Sequence, residues 1–239
     1  MISAIGVVVP AHDEAEFIGP CLRALRRALS ELPARIDRAV CVVADRCADD
    51  TAEMARREFT GWSSGLVTVT GAAGSIGEVR DLGMRRVRSV LPGHDDSETL
   101  LLGTDADTVV APDWACRHLD RVSRGSHAIA GFAKLDESSS LTTDAQLRYN
   151  QVLSDARQPA GHGNVYGANL GVRADAYSSV GGFRPLSTGE DHDLWRRLGQ
   201  AGYRLSYAAD TLVTTSARLR GRATGGLADL LYSLENGAA

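Results

Sequence analysis

The first half of the chain alternates apolar runs of strand length with amphipathic stretches of helix length, and this alternation restricts the fold more than any other feature. The apolar runs cover residues 2–9, 39–44, 66–70 and 99–103. The helical patterns cover residues 14–32, 51–58 and 77–90. This order is typical of βαβ units. We therefore predict an α/β chain with a Rossmann-like, mostly parallel sheet flanked by helices, whose strand-end loops meet at one crevice.

The second half of the chain has a less regular pattern. It predicts a strand at 128–133, a helix at 141–157, a glycine-rich loop at 159–171, a short helix at 173–180, a helix from Glu190 or Asp191, and an extended stretch at 204–214. No internal repeat or linker divides the chain. We predict one domain over residues 1–215, with a donor half of about 1–110 and an irregular acceptor half of about 111–215, followed by a tail at 216–239.

Composition excludes several classes of protein. A net charge of −4 argues against nucleic acid as a partner. The four cysteines show no C-x-x-C spacing, which favours reduced thiols and a cytoplasmic location. The apolar start lacks the basic region of a signal peptide, and no run reaches the ~20 apolar residues that a membrane span needs.

Two carboxylates at Asp105 and Asp107 directly follow the apolar run at 99–103. Mg²⁺ and Mn²⁺ prefer oxygen ligands, and such sites often combine one or two carboxylates with substrate phosphates. The alternative is a solvated acidic turn. Their position at the carboxyl end of a predicted strand favours the metal site.

Two further acidic segments stand at predicted strand or helix ends. Asp45 ends a strand and is placed to accept a hydrogen bond from a base or ribose, whereas Asp49 or Asp50 suits a helix N-cap. Asp191 opens a helix, where an acid either complements the helix dipole or acts as a general base toward an alcohol. For His192 a metal ligand, an acceptor contact and a polar surface residue all stay open, and we favour the last.

Taken in order, these motifs resemble glycosyltransferase family 2 of the GT-A superfamily over about residues 5–208. Residues 7–14 are similar to the family's opening strand and P-A-x-N-E loop, with Asp13 where Asn is usual. Residues 44–51 are similar to D-D-x-S-x-D-x-T, with Ala44 in place of the first acid. Residues 80–83 resemble R-N-x-G, 105–107 resemble D-x-D, 167–169 and 181–183 resemble the acceptor loop and G-G-F turn, and 190–191 resemble the E-D pair.

The resemblance implies inverting transfer of a sugar from a nucleoside diphosphate sugar to a hydroxyl, with Mn²⁺ or Mg²⁺ as cofactor. The implied donor nucleotide contacts are Pro10, Ala11, Glu14, Asp45, Arg80 and Asp105. Asp107 is the implied direct metal ligand, and Asp105 contacts the ribose or a metal-bound water. On the acceptor side the implied residues are Asn169, Glu190 and His192, with Asp191 as the base. A UDP-sugar is favoured by the family, while GDP- and TDP-sugars stay open.

Two family features have no counterpart here. Thr214 and Thr215 stand where a histidine metal ligand is expected, and the Q-x-x-R-W motif of processive synthases is missing. The second absence predicts transfer of a single sugar rather than polymerisation.

Three other functions compete with this interpretation. The segment 67–77 resembles the glycine loop of a short-chain dehydrogenase, but it follows the third strand, and Ala130 replaces the tyrosine needed four residues before Lys134. A sugar-phosphate nucleotidyltransferase needs a basic first loop, and residues 10–14 are acidic. A non-catalytic nucleotide-sugar binding protein would not need both Asp107 and Asp191.

The tail combines Arg218, Arg220 and Arg222 with an apolar stretch at 227–234. The arginines suit a lid over a donor diphosphate. An amphipathic helix resting on the inner face of the membrane, or a plain solvated basic surface, would have the same pattern.

Overall fold

The computed structural model describes residues 1–136, 141–159, 161–221 and 225–237. Its strands are β1 (Ala4–Ala11), β2 (Asp37–Asp45), β3 (Gly65–Thr70), β4 (Thr99–Gly103), β5 (Thr108–Val110), β6 (Ala128–Leu135), β7 (Leu170–Arg173) and β8 (Leu205–Thr215). Its helices are α1 (Ala15–Ser30), α2 (Thr51–Glu58), α3 (Ile76–Ser89), α4 (Trp114–Ser123), α5 (Thr143–Asp155), α6 (Ala174–Ser179), α7 (Glu190–Gln200) and α8 (Leu227–Glu235). Short 3₁₀ turns cover Asp96–Glu98 and Gly167–Asn169.

The first half of the chain forms the predicted parallel sheet. Within one eight-stranded sheet of order β3-β2-β1-β4-β7-β6-β8-β5, strand β1 lies between β2 and β4 and is parallel to both. Strand β3 extends this group and is parallel to β2. The carboxyl ends of all four strands therefore meet at one edge of the sheet.

The second half of the sheet is mixed rather than mostly parallel. Strand β7 is antiparallel to both β4 and β6, β5 is antiparallel to β8, and among the described residues of this half only β6 and β8 pair in parallel. Antiparallel neighbours need no crossover helix, so short strands such as β5 and β7 can join the sheet. The glycine-rich loop predicted at 159–171 accordingly ends in a 3₁₀ turn and the start of β7.

Alternating side chains of the buried strands pack into two hydrophobic cores. Ile5, Val7 and Val9 of β1 face the core that contains α1 and α4. Ala4 and Val8 face the opposite core, which contains residues of α3, α6 and α7. Side chains alternate between the two faces of β1, and helices cover both faces. Every position of the strand is therefore buried, which explains its continuous apolar sequence.

The carboxyl-terminal helix α8 packs against α5 rather than projecting from the domain. Leu231 and Leu234 are buried in a small cluster with Ala145 and Tyr149 of α5, while Tyr232 is exposed. Much of the apolar face predicted at 227–234 is thus covered by the protein itself. None of the helices in the described ranges is long and apolar enough to cross a membrane.

Candidate active site

The candidate site lies at the edge of the sheet where the parallel strands end, and the loop after β1 forms its first part. Pro10 and Ala11 are buried at the end of that strand. Asp13 adopts a left-handed backbone conformation with φ 52°, and its Oδ1 accepts a hydrogen bond from Ala48 N at 2.7 Å. Asp and Asn tolerate this conformation better than most residues, which explains why Asp13 can stand where the family carries Asn.

The loop after β2 holds the second predicted nucleotide contact, Asp45. This carboxylate is only 2% exposed, and its Oδ2 accepts from Arg46 Nε at 2.8 Å. Its Oδ1 is buried without a hydrogen-bond partner among the described residues. Because an unpaired buried acceptor costs free energy, Oδ1 is suited to a donor group on a ligand.

The predicted N-cap function in this loop belongs to Asp49. Asp50 occupies the N-cap position of α2, but its side chain makes no capping bond. Asp49 instead accepts from Thr51 N at 3.0 Å and from Ala15 N at 3.0 Å, and so ties the starts of α2 and α1 together.

The loop between β4 and β5 carries Asp105 and Asp107. Asp105 Oδ1 accepts from Arg80 Nη2 at 2.7 Å, and its side chain is 35% exposed. Asp107 is more enclosed, and burial together with the charges of Asp105 and Glu14 raises its pKa to about 6, opposed by Arg218. The site thus concentrates negative charge at Asp107.

These acids fit the divalent cation that the motif implies. Both supply carboxylate oxygens, the ligands that Mg²⁺ and Mn²⁺ prefer, and a diphosphate would complete the coordination. A second group in the described part of the chain, Asp13, Cys47 and Asp49, places ligand atoms within 4.8 Å of one another. The oxygens of Asp13 and Asp49 already accept backbone N–H groups, so this cluster is accounted for by loop structure.

The tail reaches the same acids through Arg218. Its Nη1 and Nη2 donate to the two oxygens of Glu14 at 2.7 and 2.6 Å. Nη2 also lies 3.0 Å from Asp107 Oδ2. Arg220 is exposed, and Arg222 lies outside the described residues.

Arg80 lies among acidic side chains. Its Nε donates to Glu190 Oε1 at 2.9 Å, its Nη1 to Gly167 O at 3.2 Å, and its Nη2 to Asp105. The guanidinium is nearly fully buried, and the neighbouring acids raise its pKa despite that burial. Arg80 thus joins the loop after β4 to the start of α7, and its contact with the base or phosphates stays a prediction.

The start of α7 provides the predicted E-D pair. Gly189 takes a left-handed conformation with φ 71°, which turns the chain into the helix. Glu190 is buried against Arg80, and burial raises its pKa while Arg80 opposes the rise. Asp191 is half-buried, and its oxygens accept from Gly167 N and His192 N, both at 2.7 Å. The His192 side chain is exposed, as expected for the polar surface residue that the sequence analysis favours.

Gly167 links the two sides of the crevice through its own peptide groups. Its carbonyl accepts from Arg80 and its N–H donates to Asp191. A Cβ at this position would clash with the Arg80 guanidinium. The contacts therefore run continuously from Asp105 through Arg80 and Gly167 to Asp191.

Gly167→Ala should destabilise the protein and disturb both halves of this chain of contacts. Arg80 is fixed by three partners and cannot move aside freely, so we expect a loss of about 1–3 kcal/mol, the usual cost of overpacking. Urea unfolding measures it. Gly71→Ala is the matched control, because a Cβ there meets nothing within 4 Å. Equal midpoints for the two variants would contradict the packing argument.

The predicted acceptor contact of Asn169 is not supported by its position. The residue is 0% exposed, and its Oδ1 accepts from Trp114 Nε1 at 2.8 Å and His118 Nε2 at 3.1 Å. Its Nδ2 donates to Phe132 O and Thr211 O. Every polar atom of the amide is used inside the protein, so Asn169 joins α4, β6 and β8 behind the crevice.

His118 should make folding sensitive to acid. Burial lowers its pKa from 6.5 to about 4, so the unfolded chain binds the proton more readily than the folded one. Stability is therefore lost as the pH falls below 6.5, and the loss approaches about 3 kcal/mol near pH 4. His118→Gln keeps an N–H donor for Asn169, and a glutamine side chain does not titrate between pH 4 and pH 7. Urea unfolding at pH 7 and pH 4.5 should show a smaller acid-induced loss for the variant, and an equal loss would contradict the assignment.

Sequence reasoning missed the function of Gly167 and the pairing of Glu14 with Arg218. Gly167 was visible only as part of a loop motif. Glu14 and Arg218 were separately assigned to the nucleotide and to a lid, and nothing local to either residue pairs positions 204 residues apart. The Trp114 and His118 partners of Asn169 were not predicted either, because α4 itself was not.

A model of the family described as "Glycosyltransferase like family 2" matches residues 3–224. A search of curated proteins finds no match. The family match covers nearly all of the chain, and it includes every motif on which the sequence resemblance was based.

Solved structures share the fold at low sequence identity. The mannosyltransferase PcManGT from Pyrobaculum calidifontis, in complex with GDP-Man and Mn²⁺, has a TM-score of 0.69 and 17% identity over 91% of this chain and 58% of its own. S. aureus TarS 1-349 in complex with UDP has a TM-score of 0.62 and 14% identity over 98% of this chain and 70% of its own. GalNAc-T7 with UDP, GalNAc and Mn²⁺ has a TM-score of 0.64 and 13% identity over 98% and 47%.

These similarities confirm the fold predicted from the sequence. The chain spans 58% of the length of PcManGT, so similarity to that structure concerns only part of the larger protein. The family match, unlike the structural similarity, rests on the sequence itself. The chain belongs to the glycosyltransferase-like family 2, a family of enzymes, and has the GT-A fold.

Proposed function

We propose that the chain transfers a single sugar from a nucleoside diphosphate sugar to a hydroxyl acceptor, with inversion at the anomeric carbon and with a divalent cation. One observation carries this proposal. Asp105 and Asp191 are joined through Arg80 and the peptide groups of Gly167. A donor-side acid and a candidate base are thus held in a fixed relation on the two sides of a single site.

Asp45 supports the choice of a nucleotide donor. Its buried Oδ1 has no hydrogen-bond partner among the described residues, while Oδ2 is held by Arg46. The imide N–H of uracil is a single donor that suits one free oxygen. Thymine carries the same imide N–H, so this oxygen suits UDP- and TDP-sugars alike. The family resemblance favours a UDP-sugar, and GDP- and TDP-sugars are the alternatives to be tested. Pro10 and Ala11, at the end of β1, are assigned to the same nucleotide site.

Asp107 and Asp105 are assigned to a Mn²⁺ or Mg²⁺ ion. When bound, such an ion offsets the negative charge that develops on the departing diphosphate. Asp107 is the preferred direct ligand, because burial, followed by the charges of Asp105 and Glu14, raises its pKa, and a cation would stabilise the charged carboxylate there. Arg80 holds Asp105 in place, and Glu190 balances the charge of Arg80.

Asp191 is assigned as the general base. Its carboxylate takes the proton of the acceptor hydroxyl as the oxygen bonds to the anomeric carbon and the bond to the diphosphate oxygen breaks. The hydrogen bonds from Gly167 N and His192 N orient the carboxylate for this transfer. A single displacement of this kind inverts the anomeric configuration.

We assign the chemistry to residues 1–215 and treat residues 216–239 as an accessory segment. The four cysteines are free thiols, which suits a cytosolic protein. Since α8 packs its apolar face on α5, we favour a role of the tail at the donor site over contact with a membrane.

A thermal-shift panel of UDP-, GDP- and TDP-sugars, each with and without Mn²⁺, tests the proposal. A donor that binds only the folded state raises the melting temperature. We expect one nucleotide class to do so, and to do so more strongly with Mn²⁺. Binding without any hydrolysis or transfer would identify a non-catalytic binding protein, and no shift with any donor would contradict the proposal.

A further inference from the structure

Arg218 is bound where a cation is expected. Its guanidinium spans the carboxylate of Glu14, approaches Asp107 Oδ2, and lies 5.5 Å from the ring centroid of Phe17. Glu14 is itself fixed, because its backbone N–H donates to Thr51 Oγ1 at 2.7 Å. One positive side chain is thus held by groups from two separate loops.

Beyond β8, the backbone that carries Arg218 is held by its own N–H, which donates to Ser216 Oγ at 3.3 Å, and by Ala217, which is buried beside α5 and α8. Ser216 N donates to Asp107 O at 3.2 Å, and Thr108 Oγ1 donates to Thr215 Oγ1 at 3.0 Å. These bonds hold the end of β8 beside the loop that carries Asp105 and Asp107. The Arg218 guanidinium takes no part in these backbone contacts, so the side chain can leave Asp107 while β5 and β8 stay paired.

A guanidinium and a divalent cation compete for the same carboxylate. Asp107 can direct its negative charge toward Arg218 or toward a metal ion, and the two positive charges repel each other at such short range. A diphosphate changes this balance, since arginine pairs with phosphate oxygens through two parallel hydrogen bonds. An incoming donor can therefore offer Arg218 a new partner as the cation takes Asp107.

We propose that Arg218 determines the coupling between cation and donor binding: it opposes a divalent cation at Asp107 until a nucleoside diphosphate gives its guanidinium another anionic partner. This inference rests on the proposed function, and it goes beyond a simple lid. Metal alone binds weakly, and metal with nucleotide binds well, so the site is completed only when the donor is present.

Titration calorimetry with MnCl₂ alone on the wild type, Arg218→Ala and Arg220→Ala tests the competition. Removing Arg218 should tighten Mn²⁺ binding about 5- to 10-fold, the scale of a partly buried ion pair. Arg220→Ala removes the same charge from an exposed position of the same segment. It should change the affinity less than about twofold.

A second titration adds saturating UDP or GDP, whichever stabilises the wild type. The nucleotide gives Arg218 another partner, so it should raise Mn²⁺ affinity more in the wild type than in Arg218→Ala. The ratio of the two increases should be about 5- to 10-fold. Hydrogen exchange of residues 216–221 in the wild type gives a readout independent of any variant. Mn²⁺ should speed exchange there by releasing Arg218.

The outcomes separate this inference from the proposed function. Equal or weaker Mn²⁺ binding by Arg218→Ala, or unchanged exchange at 216–221 upon Mn²⁺ binding, overturns the inference and leaves the metal site intact. Failure of every variant to bind Mn²⁺, with or without nucleotide, overturns both the inference and the metal-dependent function.

Discussion

Asp191→Asn should lower the turnover of donor hydrolysis, with water in place of the acceptor, by about 10²- to 10⁴-fold. The asparagine oxygen can still accept the Gly167 N–H bond that Asp191 accepts at 2.7 Å, so the site should keep its shape. The amide cannot take a proton from the attacking oxygen. The measurement is kcat with the donor selected by thermal shift and with Mn²⁺ present, and donor affinity should be unchanged.

His192→Ala is the matched control for this substitution. His192 follows Asp191 directly, and its side chain is exposed, while its contribution to the base is a backbone N–H that alanine keeps. We expect its kcat to stay within about threefold of the wild type. An Asp191→Asn enzyme that retains more than about a tenth of the wild-type kcat would remove Asp191 as the base.

Asp107→Asn should weaken Mn²⁺-dependent donor binding by at least about 100-fold, because it removes both a ligand oxygen and the charge that attracts the cation. The folded protein should not lose stability, since the substitution relieves a carboxylate whose pKa burial and neighbouring acids raise to about 6. Calorimetric titration of the donor with Mn²⁺ measures the loss of affinity, and urea unfolding measures the stability.

Asp113→Asn provides the control for charge alone. Asp113 is exposed and pairs with Arg117 on the surface of α4. Its loss changes the net charge by the same amount without altering the crevice, so donor affinity should stay within about twofold. If Asp107→Asn and Asp113→Asn bind the donor equally well, Asp107 is not the metal ligand.

Long, strongly patterned elements of the fold could be predicted from the sequence. The predicted limits 99–103 and 51–58 match β4 and α2. The short strands β5 and β7 were not predicted, because three or four residues carry too little periodicity to distinguish a strand from a loop. Helix α4 was missed as well, although its amphipathic pattern was present in the sequence.

The site was predictable to the extent that its residues follow strand and helix ends. Asp45 and Asp105 could be placed on one crevice because parallel strands end at the same edge of the sheet. The partners of Arg80 could not be predicted, because Glu190 lies 110 residues away and the pairing depends on how α7 packs against α3. Asn169 shows the limit of motif transfer, because its burial under α4 is a property of tertiary packing.

Anomalous diffraction at the manganese edge, from crystals grown with Mn²⁺ and the nucleoside diphosphate that stabilises the protein most, tests the central claim most directly. We predict a manganese peak on the carboxylate of Asp107, with the diphosphate beside it, the base against Asp45, and Asp191 facing the same cavity. A peak elsewhere, or a nucleotide bound away from Asp45 and Asp107, would contradict the account.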